Sequence, residues 1–296
     1  MSSEIEIKFG TSGYRGIIGR SFSCKHVRAI ARAIAQYLKH SGHEHPYIII
    51  GYDPRTGNDP QLSEGSYTHT LVQTLSYLGV SVDICQSYTP TPLISWAIEH
   101  RSYQGGIILT ASHNPPNYNG IKFNPNDGAP ASIEVSTQIG TDASSYLKEE
   151  VYGDTPSIPE DAPATAKAAS LGKAFANSLH KTCAQLLNTE LPDLDLPIVI
   201  DAKHGATAST WQTLMHRFGM SQSTVLHSEP LPDFGKLAPN PLDLNGLYDL
   251  KAAMITQSAV MGIANDPDGD RHIILDENGD ALSPEETAVI ITDYLH

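Results

Sequence analysis

Apolar and polar positions follow one another along the first third of the chain in a pattern that predicts helices separated by short strands. Between His26 and His40 the apolar residues recur at three- and four-residue spacing, the period of a helix with one buried face. The same spacing predicts further helices over 62–78 and 93–100. Short apolar runs bounded by polar or glycine residues predict strands over 47–51, 80–85 and 106–109.

The pattern is interrupted between residues 140 and 171 and then resumes. Pro156, Pro159 and Pro163 lie there among small and polar residues, so we expect a linker that includes at most a surface helix. After the linker, helical spacing and short apolar runs alternate again. The predicted helices are 171–188, 211–218 and 247–258, and the predicted strands are 198–201, 225–227 and 260–264.

Strands that alternate with helices predict an α/β fold with a mostly parallel sheet covered on both faces. The two halves also resemble each other: IIIGYD at 48–53 is similar to IVIDAK at 198–203, and the strand and loop at 106–115 have a counterpart at 260–269. We therefore expect two similar α/β domains with mixed or mostly parallel sheets and a cleft between them. The expected boundaries are 1–150 and 165–283, and an amphipathic segment that follows Pro284 is cut short at 296.

Composition limits the classes of partner. The 296 residues have room for about two domains, and the formal net charge is −14. Because an acidic surface repels nucleic acid and anionic membrane, we expect neither as a partner, and an anionic substrate would need a local cationic site. With no apolar run near the ~20 residues of a membrane span, we expect a soluble, cytoplasmic protein. Three widely spaced cysteines (Cys24, Cys85 and Cys183) predict buried free thiols.

The first candidate for chemistry is the segment TASHNPPNYNGIKF at 110–123. Ser112 follows a predicted strand, and two prolines stiffen the loop behind it, so its hydroxyl would be presented rather than buried. His113 could accept a proton, and Lys122 could neutralise a phosphate. From the residues alone, a nucleophile and a polar turn in which the serine caps a backbone group are equally well supported, since a neighbouring Ser-His pair is weak evidence.

The second candidate is NDPDGDR at 265–271, in which Asp266, Asp268 and Asp270 alternate. Three carboxylates in one short loop repel each other, which favours a bound cation over a solvated acidic turn. Carboxylate oxygens are ligands that suit Mg²⁺. A calcium-binding EF-hand is excluded because Arg271 occupies the position that requires glycine and because both flanks are predicted strands.

The third candidate is FGTSGYRGIIG at 9–19, with four glycines in eleven residues. The glycines would let a ligand approach the backbone closely, and Arg15 could bind an anion through its guanidinium fork. The opening of a β-hairpin explains this segment equally well.

Taken together, these segments resemble the α-D-phosphohexomutase family, which includes phosphoglucomutases and phosphomannomutases. The strings that carry the resemblance are TASHNP, DPDGDR, the YRG of the glycine-rich segment and KLAPNP at 236–241, in the family's order. The resemblance extends over essentially the whole chain. The catalytic residues that it implies are Ser112, His113, Lys122 and Arg15, the substrate-binding residues are Arg271, Asn114 and Arg15, and the metal ligands are Ser112, Asp266, Asp268 and Asp270.

The resemblance also implies an activity: interconversion of hexose 1-phosphate and hexose 6-phosphate, with glucose or mannose as the sugar. Ser112 would carry the phosphoryl group, whereas the acid or base role of His113 is left open. The implied cofactors are Mg²⁺ and, as activator, a sugar bisphosphate such as glucose-1,6-bisphosphate. The implied partner is a small phosphosugar.

Complete family members are expected to have four domains, and strings like GExSGH and RxSGT of the last two do not occur here. We therefore expect this chain to be an N-terminal part, poorly active alone, in which residues 284–296 are the truncated start of a third domain. Its final helix, 285–296, is expected to expose an apolar face and promote self-association. Two alternatives stay open: a truncated mutase that binds a phosphosugar or a partner without catalysis, and a weak Mg²⁺-dependent phosphatase.

Overall fold

The computed structural model describes residues 6–153 and 158–295. The chain divides into two compact units. The first unit comprises Met1–Ala111 and Pro116–Ser170, and the second comprises Ser112–Pro115 and Leu171–His296. The short segment 112–115 therefore belongs by its contacts to the second unit, although it lies within the sequence of the first.

The first unit is a mixed sheet with helices. In the described residues its elements are β1 (Tyr14–Ile17), α1 (Cys24–His40), β2 (Tyr47–Tyr52), α2 (Tyr67–Tyr77), β3 (Ser81–Cys85), α3 (Thr91–His100), β4 (Gly105–Leu109), β5 (Tyr118–Pro125), α4 (Ile133–Tyr152) and β6 (Lys167–Ala169). The strands are ordered β1-β5-β4-β2-β3-β6. Strand β5 is antiparallel to both of its neighbours, β1 and β4, whereas β4, β2, β3 and β6 are parallel.

The second unit has a smaller sheet of the same kind. In the described residues its helices and strands are α5 (Gly172–Leu186), β7 (Ile198–Asp201), α6 (Ala208–Arg217), β8 (Thr224–Leu226), α7 (Tyr248–Gln257), β9 (Met261–Asn265), β10 (His272–Leu275), β11 (Ala281–Leu282) and α8 (Pro284–Leu295), with 3₁₀ turns at Phe234–Lys236 and Leu244–Leu247. The strands are ordered β11-β10-β9-β7-β8. Strand β10 is antiparallel to both of its neighbours, β9 and β11, whereas β9, β7 and β8 are parallel.

The two sheets repeat one topology, which confirms the predicted pair of similar α/β folds. In the first unit, antiparallel β5 borders the parallel strands β4, β2 and β3 in that order. In the second unit, β10, β9, β7 and β8 occupy the corresponding places. The loop between β4 and β5 therefore corresponds to the loop between β9 and β10. These two loops carry Ser112 and the three aspartates, respectively.

The predicted linker is wrong over much of its length. Helix α4 already begins at Ile133, where the Ser132 side chain accepts a hydrogen bond from the Val135 amide. Its buried face packs against α1, so it is part of the core rather than a surface helix. Further along, 167–169 adds a parallel strand to the edge of the sheet. Pro156, also assigned to the linker, lies outside the described residues.

Several element boundaries differ from prediction for local reasons. Helix α2 begins at Tyr67 rather than Leu62, because the Ser66 hydroxyl accepts the His69 amide and caps the helix there. Strand β5 was not predicted, since two buried asparagines (Asn119 and Asn124) interrupt its apolar pattern. Both asparagines are hydrogen-bonded, which makes their burial tolerable.

Other surface and core expectations have mixed outcomes. None of the three cysteines, all in the described part of the chain, forms a disulfide, but only Cys85 is buried, whereas Cys24 and Cys183 are half-buried. Among the described residues, no helix is long and apolar enough to cross a membrane. Helix α8 does expose apolar side chains, as expected. They are Val289, Ile290, Ile291, Tyr294 and Leu295.

Candidate active site

The serine loop, residues 110–117 between β4 and β5, contains a buried serine with an unusual backbone conformation. Ser112 has a φ of 50° and is fully buried. Its Oγ donates a hydrogen bond to Oδ2 of Asp266 at 2.7 Å and lies 3.3 Å from Nδ1 of His113. Left-handed backbone at a residue other than glycine costs free energy and is concentrated at functional sites. The expectation that Ser112 is presented to solvent is thus wrong, because this hydroxyl points at a carboxylate of its own unit.

The acidic loop, residues 266–271, joins β9 to β10 and is held by hydrogen bonds of its own backbone. The Asp266 amide donates to the Arg271 carbonyl at 3.1 Å, and the Arg271 amide donates to Oδ1 of Asp266 at 3.0 Å. Gly269, with a φ of 68°, donates to the Asp266 carbonyl at 3.0 Å and closes the turn. As a result, Asp266, Asp268 and Asp270 each offer a carboxylate oxygen within 4.8 Å of the others.

Burial makes this cluster electrostatically unfavourable by itself. Asp266 and Asp268 are fully buried, and Asp270 is exposed. Burial is the main cause that raises the pKa of Asp266, and the charges of Asp268 and Asp270 raise it further, while hydrogen bonds from Ser112 and Arg271 oppose the rise. A divalent cation bound among these oxygens would make the ionised form of the carboxyl groups favourable. Three converging carboxylates form a donor set that fits Mg²⁺.

The strands on both sides of the acidic loop confirm the exclusion of an EF-hand. Asn265 at the end of β9 pairs with His272 at the start of β10, so the loop is the tip of an antiparallel hairpin. An EF-hand loop lies between two helices.

The two predicted sugar-phosphate ligands lie at different depths. The Arg271 amide donates to Asp266 inside the acidic loop, whereas the residue as a whole is exposed. Asn114, in the serine loop, is half-buried.

The two predicted phosphate-binding cations lie together on the first unit's sheet. Arg15 on β1 is directly opposite Gly120 on β5, and Lys122 is two residues further along β5. In antiparallel strands this arrangement places Arg15 and Lys122 on the same face as diagonal neighbours. Gly120 provides the space, since a Cβ there would lie 3.1 Å from Cγ of Arg15 and 2.6 Å from the Thr110 carbonyl oxygen.

A buried polar network that was not predicted lies behind the serine loop, within the first unit. Asp53 and Arg55 are both fully buried, with Arg55 Nε 3.1 Å from Asp53 Oδ2. The same carboxylate accepts the Thr110 hydroxyl at 2.7 Å, and Arg55 donates to the Tyr118 carbonyl at 2.9 Å. One ion pair thus fixes the chain shortly before the serine loop and shortly after it. The only signal in the sequence is a polar loop directly after a strand.

The second unit repeats this arrangement at the end of β7. Asp201 Oδ1 accepts the Lys203 amide at 2.8 Å, just as Asp53 Oδ1 accepts the Arg55 amide at 3.1 Å. Lys203 is also fully buried, and its Nζ lies 3.8 Å from Asp201 Oδ2. The similarity of 48–53 and 198–203 in sequence is therefore accompanied by a shared turn with a buried cation two residues after the aspartate.

Comparison with known proteins agrees with this fold. The family descriptions of phosphoglucomutase/phosphomannomutase alpha/beta/alpha domain I and domain II match residues 6–150 and 173–279, respectively. Over 310 residues the chain is 28% identical to a phosphoglucomutase from Komagataeibacter xylinus, covering 98% of this chain and 53% of that protein. It is also 28% identical to a phosphoglucomutase/phosphomannomutase from Thermococcus kodakarensis, covering 96% and 58%.

A solved structure gives the same result. The crystal structure of a candidate phosphomannomutase from Thermus thermophilus superimposes with a TM-score of 0.79 and 26% identity, covering 98% of this chain and 61% of that one. The fold and the matched domains define an α/β protein of the phosphosugar mutase class. The chain belongs to the phosphoglucomutase/phosphomannomutase family, the α-D-phosphohexomutases. It spans about half the length of the curated relatives that it matches.

Proposed function

We propose that this chain carries the phosphoryl-transfer part of a phosphohexose mutase, which interconverts hexose 1-phosphate and hexose 6-phosphate. The observation that carries the proposal is the 2.7 Å hydrogen bond from Ser112 Oγ to Asp266, inside a cluster of three carboxylates. A serine hydroxyl beside a potential Mg²⁺ site is the arrangement that phosphoryl transfer through a phosphoserine requires. The names of the relatives point to glucose or mannose as the sugar.

In the proposed reaction, Ser112 alternates between a phosphorylated and a free state. The bond from phosphorus to Ser112 Oγ breaks as a bond forms to the 1- or 6-hydroxyl of a sugar phosphate, which yields a sugar bisphosphate. The hydroxyl gives up its proton, and Oγ takes one up. His113 Nδ1, 3.3 Å from Oγ, is within reach for that exchange. The other phosphate of the bisphosphate then returns to Ser112.

The remaining assigned residues handle negative charge and position the substrate. Asp266, Asp268 and Asp270 would hold Mg²⁺ together with Ser112, and the bound ion would neutralise charge on the phosphoryl oxygens. The two cations on one face of the first sheet, Arg15 and Lys122, would bind phosphate. Two further residues, Asn114 and Arg271, are assigned to the sugar phosphate on the strength of the family motifs.

We expect Asp268→Asn to weaken Mg²⁺ binding by at least ~100-fold, because even the loss of a group behind a metal ligand costs roughly 10–100-fold. Isothermal titration with Mg²⁺ measures this directly. The fold should not suffer: removing one of three mutually repelling carboxylates leaves the melting temperature without Mg²⁺ unchanged or higher.

Asp280→Asn is the matched control, since Asp280 is an exposed aspartate in the same unit. It should bind Mg²⁺ as the unchanged protein does. If Asp268→Asn retains full Mg²⁺ affinity, the metal site is not at this loop and the proposed function loses its main support.

A further inference from the structure

The two chain neighbours of Asp266 are hydrogen-bonded to one segment of the second unit, residues 205–211. The Ala206 amide donates to the Pro267 carbonyl at 2.7 Å. Five residues later, the indole Nε1 of Trp211 donates to Oδ1 of Asn265, also at 2.7 Å. Both chain neighbours of Asp266 therefore depend on this segment for their position.

Gly205 lies against the backbone of the acidic loop. A Cβ at this position would lie 2.6 Å from the Cα of Pro267 and 2.7 Å from its carbonyl oxygen. These are backbone atoms, so they cannot move aside as the end of a flexible side chain can. Because the backbone of Gly205 is not left-handed, the requirement here is for space and not for conformational freedom. Any side chain at 205 must therefore force apart its own turn and the loop that carries Asp266 and Asp268.

The turn that delivers Gly205 is itself held firmly. Lys203 and His204 have φ values of 46° and 53°, a conformation that residues other than glycine seldom adopt. Oδ1 of Asp201 accepts the Lys203 amide and lies 2.8 Å from Nδ1 of His227, and Lys203 Nζ donates to the Gly246 carbonyl at 2.8 Å. Such a strained backbone persists only where several surrounding contacts hold it in place.

We propose that Gly205 and Trp211 are positioning residues for the acidic loop. They fix the positions of Asp266 and Asp268 without touching the ion or the substrate. This inference rests on the proposed function, in which the aspartates hold Mg²⁺. Mg²⁺ requires near-ideal octahedral geometry, so a carboxylate displaced by a few tenths of an ångström binds it less well. The close approach of Gly205 to the Pro267 backbone and the hydrogen bond from Trp211 to the Asn265 side chain therefore control metal affinity.

The experiment is a Mg²⁺ titration by calorimetry of the unphosphorylated chain and four variants: Gly205→Ala, Trp211→Phe, Gly172→Ala and Asp268→Asn. Gly205→Ala should lower the affinity by roughly 10–100-fold, as other losses behind a metal ligand do. Trp211→Phe keeps an aromatic ring but loses the indole N–H, and should lower the affinity by roughly fivefold, the effect of one neutral hydrogen bond.

Gly172→Ala is the matched control for the added methyl group. A Cβ at Gly172 has only ordinary contacts, the nearest at 3.6 Å from Thr213 Oγ1. It should leave Mg²⁺ affinity unchanged. Far-ultraviolet circular dichroism and the melting temperature without Mg²⁺ identify variants that are folded, so that a loss of affinity is not confused with a loss of structure.

The outcomes separate the inference from the function on which it rests. If the unchanged chain and Asp268→Asn bind Mg²⁺ equally, the proposed function fails. If Asp268→Asn loses binding but folded Gly205→Ala and Trp211→Phe bind as tightly as the unchanged chain, the positioning role is overturned. Should Gly205→Ala not fold, Trp211→Phe decides alone: lowered affinity in a folded protein supports the inference, and unchanged affinity refutes it.

Discussion

Ser112→Ala should abolish phosphorylation of the chain completely, the largest effect that we expect of any substitution. Intact-mass analysis after incubation with glucose-1,6-bisphosphate and Mg²⁺ should show one added phosphate on the unchanged chain and none on the variant. The reason is chemical: alanine has no oxygen to form the phosphoester bond, and the oxygen that it removes is the one that lies 2.7 Å from Oδ2 of Asp266.

Ser228→Ala is a suitable control, because Ser228 is an exposed serine of the same unit and lies outside the segment 205–211. It should be phosphorylated to the same extent as the unchanged chain. Phosphate that persists on Ser112→Ala would mean that the nucleophile lies elsewhere, and peptide mapping would then locate it.

The second large effect is on stability: Arg55→Met should lower the free energy of unfolding by about 3–5 kcal/mol, because it leaves the Asp53 carboxylate buried without its ion-pair partner. The side chains of Arg55 and Asp53 are fully buried, and Nε of Arg55 lies 3.1 Å from Oδ2 of Asp53. The chain has two tryptophans, so Trp96 fluorescence in a Trp211→Phe background reports urea unfolding of the first unit.

Two further variants define the cause of that loss. Arg20→Met removes an exposed arginine from the same unit and should change the free energy of unfolding by less than about 0.5 kcal/mol. Adding Asp53→Asn to Arg55→Met should recover part of the loss, since a buried pair without charges is tolerated better than a single buried charge. If Arg55→Met is as stable as the Arg20→Met control, the network does not support the first unit.

Much of the fold could be predicted from the sequence because the elements beneath the site have regular apolar patterns. Strand β7 was predicted with its observed bounds, and helix α1 begins within two residues of its predicted start. Strand β5 was missed because Asn119 and Asn124 are buried through hydrogen bonds that a periodicity argument does not register. The start of α2 was also predicted wrongly, because a hydrogen bond to the Ser66 hydroxyl fixes it and apolar spacing does not reveal such a bond.

The candidate site shows a sharper limit. From the residues alone the motifs indicated Ser112 and the aspartates separately, and only the family resemblance implied that they share one metal site. The hydrogen bond between Ser112 and Asp266 joins residues 154 positions apart, which no local pattern can predict. Nor could the burial of Arg55 and Lys203 be predicted, because charged residues are rarely buried completely unless they are paired. The importance of Gly205 likewise follows only from its distance to Pro267 in the folded chain.

The most direct test of the central claim is a single-turnover transfer from Ser112 to a sugar. The chain is phosphorylated with glucose-1,6-bisphosphate, freed of sugar, and mixed with excess glucose 1-phosphate, with Mg²⁺ or with a chelator. Phosphorus NMR follows the sugar and intact mass follows the protein. We expect phosphate to leave Ser112 only with Mg²⁺ present and to appear as an equal amount of sugar bisphosphate. Phosphate that stays on Ser112, or that is released entirely as inorganic phosphate, would contradict it.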